Sequence, residues 1–277
     1  KFSNLTNKNR DRFNIGVDPD QYGKFSFPLI NSTSLTNMGV YPDDQTGLVG
    51  ALVFQLQNRG IITNSSVTMI MANMMASSSD ANGHPFANMI EAWASIHTPS
   101  ATQRSYYVDD NVYGNPTTQI NIINGQEESI PVNQRQLTAY KYRGRGYIPI
   151  IGKGEYIAAS NALGISQLLS DPDLAFQNGN NVELAVAVSI WKYRNFTGYD
   201  KNTGFSSVLK GGKTPYSHSK EGTASNFTET VRILNGDAGK TLEESFSKFA
   251  IVLSEFDLLG INPGGTKPGL AGGLQKG

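Results

Sequence analysis

The sequence predicts a mainly helical domain with long irregular loops, preceded by an extended N-terminal arm. Three observations lead there. Apolar residues recur at helical spacing in several segments that open on capping residues or close on glycine. One of these segments, residues 181–193, is apolar enough to be the central core helix. Between the segments lie long stretches, 108–139 and 196–223, whose polar and glycine-rich character marks them as loops.

Taken in order, residues 1–46 are polar and broken by turn signals at Asp18-Pro-Asp20 and Tyr41-Pro-Asp-Asp44. No helical period is sustained there, and the segment reads as an extended arm with short strand pieces near residues 24–28. Such an arm suits wrapping its own domain or a neighbouring subunit. Leu48, Ala51, Leu52, Phe54 and Leu56 then give a helical stripe closed by Gly60. Thr63-Asn-Ser-Ser66 offers N-cap side chains for a second helix over 67–76. Its four methionines, Met69, Met71, Met74 and Met75, read as adaptable core filler. A polar loop with Asp80 and His84 follows, and helical spacing resumes at Phe86, Ile90 and Trp93 with Glu91 among them. Asn124-Gly125 suggests a hairpin turn inside the 108–139 loop.

The run Tyr140-Lys-Tyr-Arg-Gly-Arg-Gly-Tyr147 places two planar, permanently charged side chains, Arg143 and Arg145, on a glycine-rich turn. Gly144 and Gly146 there permit positive φ or close backbone approach. A helix over 155–163 stops at Gly164, and Asp171-Pro-Asp173 opens a short one. The core helix follows, then a helix over 226–234 ending at Asn235-Gly236. A last helix opens at the capping-box pattern Thr241-Leu-Glu-Glu244 and runs to about residue 259. The domain thus spans 47–259, with a Gly/Pro-rich tail over 260–277.

Composition narrows the function. The 277 residues carry no net charge and no basic stripe, which argues against nucleic acid as a partner. There is no cysteine, and the three histidines form no close pair, so neither a metal site nor a cofactor is expected. No apolar stretch reaches membrane-spanning length. The chain opens on Lys1 rather than Met, as expected of a terminus that is processed, trimmed or left out of the numbering.

Several blocks together resemble family 19 glycoside hydrolases, the chitinases and related phage endolysins. They are Tyr142-Arg-Gly-Arg-Gly-Tyr-Ile148 with Gly152 and Tyr156, then Ala162-Leu-Gly164 and Asp171-Pro-Asp-Leu174. Ala185 to Trp191, Arg232-Ile-Leu-Asn-Gly236, and Phe86-Ala-Asn-Met-Ile-Glu-Ala-Trp93 followed by Thr98-Pro-Ser-Ala-Thr-Gln-Arg104 extend the likeness. The resemblance covers residues 48–259. It implies a two-lobed, lysozyme-like helical fold with a cleft for β-1,4-linked amino sugars.

It also implies a mechanism. Inverting hydrolysis needs one carboxyl group to protonate the leaving oxygen and another to activate water. In that family the acid comes from an H-E dipeptide at a helix end, the base from a second Glu, and a Ser or Thr after the R-G-R-G turn helps hold the water. Glu91 matches the base. No Glu stands at the acid position, where Asp80 is the nearest carboxylate. Pro149-Ile-Ile151 replaces the residues that manage the water. Arg143, Arg145, Tyr147, Asn235 and Trp93 are the expected sugar contacts. The expected function is a catalytically degenerate chitinase/endolysin-like domain, structural or glycan-binding within a larger assembly, with a phage virion or the extracellular space as its setting. Other chains would meet it through the arm and the tail. The alternative is an active inverting muramidase or chitinase acting on peptidoglycan or chitin.

Overall fold

The computed structural model describes residues 24–80, 82–87, 141–176, 181–198, 212–220, 224–235 and 239–258. The expected hairpin at Asn124-Gly125, residues 1–23 of the arm, the tail, and the candidate residues Glu91 and Trp93 fall outside that set. The described part is mainly helical, as expected. Its α-helices are α1 (Ser32–Asn37), α2 (Leu48–Asn58), α3 (Asn64–Ser77), α4 (Gly152–Leu163), α5 (Gln167–Ser170), α6 (Val182–Asn195), α7 (Pro215–Ser219), α8 (Ala224–Asn235) and α9 (Gly239–Glu255).

The capping chemistry read from sequence operates locally. The Thr63 hydroxyl accepts from the Ser66 amide at the start of α3. Gly60 follows α2 at φ 67°, and Gly164 ends α4 at φ 71°, both in the left-handed region that glycine enters without strain. Two expectations are corrected. Residues 24–46 are more compact than their polar sequence suggests. They contain α1, opened by a capping box between Asn31 and Ser34, and short 3-10 turns at Phe27–Leu29 and Pro42–Gln45. The strand expected near residues 24–28 amounts to a single bridge between Lys24 and Thr63. Phe25, Ile30, Leu35, Met38 and Val40 pack into the main core, which makes this segment part of the domain. Six helical residues flanked by single turns are too few to show a period in sequence. The second correction concerns Phe86, where a helix was expected to begin. Phe86 sits at φ 61°, outside helical space, with its amide donating to Ser78 Oγ at 3.1 Å.

Two apolar clusters organise the molecule. The larger draws on α1, α2, α3, α6, α8 and α9, and α9 lies along α3. The smaller gathers Tyr142, Ile150, Tyr156, Ala159, Leu168, Ala175, Val188 and Trp191. Helix α6 belongs to both: Val186, Ile190 and Tyr193 face the larger, Val188 and Trp191 the smaller. A helix apolar all round must be enclosed all round, which is why residues 181–193 read as central. The methionines of α3 are all buried, as core filler should be.

Candidate functional site

The glycine-rich turn is held against α6. Arg145 and Ile150 exchange backbone hydrogen bonds of 3.3 and 3.0 Å, and the Gly152 amide donates to the Tyr142 carbonyl at 2.8 Å. Gly146 takes φ 104°, and a Cβ there would come within 3.0 Å of Val188 Cγ2 and 3.1 Å of Ser189 Oγ. Position 146 therefore requires glycine both for its dihedral and for its closeness to α6. Gly144 is not among the positive-φ glycines. Ser189 Oγ accepts from the Ile148 amide at 3.0 Å, pinning the tip of the turn.

The two arginines hold the turn together from within. Arg145 is 1% exposed. Its Nε donates to Asp173 Oδ1 at 2.6 Å, and one terminal nitrogen donates to the Lys141 and Arg143 carbonyls and to Tyr156 Oη, at 2.8, 3.1 and 3.0 Å. Arg143 is also buried and lies 3.5 Å from the same Asp173 oxygen. Asp173 belongs to the D-P-D-L block, so two of the sequence blocks meet through an ion pair. Tyr147 is buried too, its ring edge-on to Phe86 at 5.0 Å. Burial, and then the charge of Asp44, push its hydroxyl pKa well above the ordinary tyrosine value. Arg145 and Tyr147, expected as sugar contacts, are thus enclosed and committed to the turn. Asn235 ends α8 half-buried. Its amide nitrogen is buried and has no hydrogen-bond partner among the described residues.

Behind the turn lies a pair that the sequence reading missed. Lys192 of α6 and Glu155 of α4 sit 3.1 Å apart with side chains 2% and 0% exposed. Lys192 Nζ donates to the Pro149 carbonyl at 2.7 Å, and Glu155 Oε2 accepts from the Ile151 amide at 3.0 Å. The segment Pro149–Ile151, which lacks the polar residues for handling water, is therefore fixed at both ends by buried charge. The signal available in sequence was a lysine inside the mostly apolar run 184–193. Such a lysine is buried only if it is paired.

Asp80 occupies the loop after α3. Its Oδ1 accepts from the Asn82 and His84 amides, each at 2.9 Å, and its Oδ2 lies 3.2 Å from His84 Nδ1. The hydrogen bond from the His84 amide is the main cause holding its carboxyl below the ordinary value of 3.8. The His84 ring and the Asn82 amide add to it, against some opposition from burial. Asp80 thus stays ionised to lower pH than a free aspartate. The stabilisation it supplies is present above the unfolded-state pKa and is lost as pH falls through the lower folded value. A carbon-detected NMR titration is expected to place the Asp80 midpoint below 3.8. A midpoint at or above that value would contradict the capping geometry. Asp44, on the neighbouring Pro42–Gln45 turn, shifts the other way. Burial first, then Asp43 and Asp80, hold its carboxyl above 3.8. Nothing in the sequence brought Asp44, His84 and Tyr41 together, because their grouping joins segments about forty residues apart.

Among the described residues no three His, Asp or Glu side chains are placed to hold a metal, and no helix is long and apolar enough to cross a membrane.

No protein-family model matches the chain, and no curated protein does. Solved structures do. A mutant of chitinase C superposes with a TM-score of 0.52 at 17% identity, covering 83% of this chain and 93% of that one. Chitinase C from Streptomyces griseus HUT6037 superposes with a TM-score of 0.50 at 17% identity, over 83% of this chain and 77% of that one. A bacterial family 19 chitinase covers 90% of this chain and 95% of its own at 22% identity, with a TM-score of 0.44, too low to bear on the fold. The chain has the helical fold of the chitinase C structures, and the family 19 chitinase likeness read from its motifs is a likeness of fold.

Proposed function

We propose that this chain is a chitinase-fold domain that engages an amino-sugar polymer, chitin or peptidoglycan, without cleaving it by two-carboxylate inversion. It would serve as a structural or glycan-binding part of a larger assembly, in a virion or outside the cell. The hydrogen bonding of Asp80 carries this reading. The carboxylate nearest the acid position is tied to backbone amides and kept ionised, whereas a general acid must arrive protonated. Pro149, Ile150 and Ile151 add to the case, since none brings a polar side chain to a catalytic water.

One observation favours the alternative of an active inverting glycosidase. Asp44 and Asp80 are pushed apart in acidity, as the acid and base of a hydrolytic pair are.

Incubation with insoluble chitin and with purified peptidoglycan separates the readings. Retention on at least one polymer with no release of reducing ends at excess protein is the expected result. Polymer breakdown that is abolished by Glu91→Gln or Asp44→Asn would overturn it.

A further inference from the structure

Leu29, Tyr41, Phe54 and Ile157 are the exposed large apolar side chains among the described residues, and Tyr41, 44% exposed, differs from the others in how it is supported. Its ring lies against the His84 imidazole with centroids 4.1 Å apart and planes tilted by 39°. Its hydroxyl is 2.7 Å from His84 Nε2 and 2.9 Å from His84 Nδ1. His84 Nδ1 is in turn 3.2 Å from Asp80 Oδ2, and Asp80 Oδ1 accepts from two backbone amides. Three tiers of hydrogen bonding thus fix one solvent-facing ring. From the other side Pro42 follows Tyr41 directly, the Asp44 amide donates to the Tyr41 carbonyl at 3.0 Å, and Gln45 Nε2 donates to the Val40 carbonyl at 3.1 Å. Backbone and side chain are both held before any ligand arrives.

Isolated exposed apolar side chains are ordinary and call for no explanation. An exposed aromatic ring whose orientation is fixed by a chain of polar contacts is a different object. It offers a flat apolar surface with little rotamer freedom left to lose on binding. A pyranose ring presents the matching surface, a face of C–H bonds rimmed by hydroxyl groups. The plate also stands next to the glycine-rich turn. Phe86, two residues beyond His84, packs on Tyr147, and the charge of Asp44 reaches the Tyr147 hydroxyl.

We infer that Tyr41 and His84 form a sugar-stacking subsite for a pyranose unit of an amino-sugar polymer, with Asp80 positioning the imidazole that positions the ring. This rests on the glycan-binding reading above and gives it a location that the buried Arg143, Arg145 and Tyr147 do not provide. The subsite carries no chemistry of its own. It holds one ring of the polymer beside the turn.

The test is binding of the full chain to chitotetraose by titration, and to insoluble chitin and purified peptidoglycan by depletion, which separates the two sources of the sugar. Tyr41→Ala is expected to weaken binding to the preferred polymer by roughly three- to tenfold, the scale of one aromatic stacking contact. Tyr41→Phe keeps the ring and should lose less than half of that effect on a logarithmic scale. His84→Ala, which frees the ring, should fall between them. Each variant is checked by circular dichroism and thermal melting. Equal affinity of the wild type and a folded Tyr41→Ala for all three probes overturns the inference and leaves glycan binding standing. Absence of wild-type binding to every probe overturns both.

Discussion

Changing Lys192 to methionine with Glu155 left in place is expected to cost about 3–5 kcal/mol of stability. Glu155 then keeps a charge in a site that is closed to water, and the Pro149 carbonyl loses the Lys192 ammonium. Glu155→Gln with Lys192 intact should cost a comparable amount, because the ammonium is left buried beside a neutral amide. The double change is expected to be far less than additive, since buried ion pairs replaced together by well-packed neutral groups are often close to neutral in stability. In a domain of this size each kcal/mol moves the melting temperature by about 2–4 °C, so either single change should lower it by roughly 10 °C. Urea denaturation of the four proteins in the cycle measures the coupling. Single changes that each cost less than about 1 kcal/mol would mean that the pair is hydrated and that the turn is held by other means.

The second large effect is expected at Arg145. Arg145→Ala removes a 1% exposed side chain, three hydrogen bonds to Lys141, Arg143 and Tyr156, and the ion pair with Asp173. Those losses and the resulting cavity should cost about 3–4 kcal/mol. Little of this comes from the ion pair itself. Asp173 is 52% exposed, and solvent screens its attraction. Asp173→Ala should accordingly cost only about 1 kcal/mol, well short of the arginine change. Arg145→Lys should resemble alanine more than arginine, because an ammonium cannot reach two carbonyls, a phenol and a carboxylate from one fixed fork. Chemical denaturation of the three variants gives the order. Asp173→Ala matching Arg145→Ala would show that the pair, and not the enclosed hydrogen bonds, carries the turn.

Much of the helical framework was legible in the sequence, and for a common reason. α2, α3, α6 and α9 are long enough to display a period, and Thr63, Gly60 and Gly164 mark ends by local backbone chemistry alone. The same reasoning missed α1, α5 and α7, which have six, four and five residues. Pieces that short are stabilised by what they pack against, and that information is not local. The candidate site divides in the same way. The glycine-rich turn could be found because its dihedral and close-approach requirements restrict residue type, as at Gly146. What Arg143, Arg145 and Tyr147 do there could not be found. A surface arginine and an enclosed one have the same letter, and only the placement of Asp173 and Tyr156 separates them. Lys192 with Glu155, and Tyr41 with His84 and Asp80, are contacts between distant segments and become visible only once the chain is folded.

Helix α6 belongs to both apolar clusters, and this has a mechanical consequence. Two lobes that close on a ligand by hinge motion need a connection free to bend. Among the described residues α6 joins the two clusters, Val186, Ile190 and Tyr193 packing into one and Val188 and Trp191 into the other, and the 142–150 turn joins them as well, through Tyr147 and Ile148 on one side and Tyr142 and Ile150 on the other. Swinging one cluster against the other would pull apart one of the two cores, so the distance between them is set when the protein folds. A polymer bound beside them would meet a framework of fixed spacing, and fitting would fall to surface loops and to the sugar chain itself.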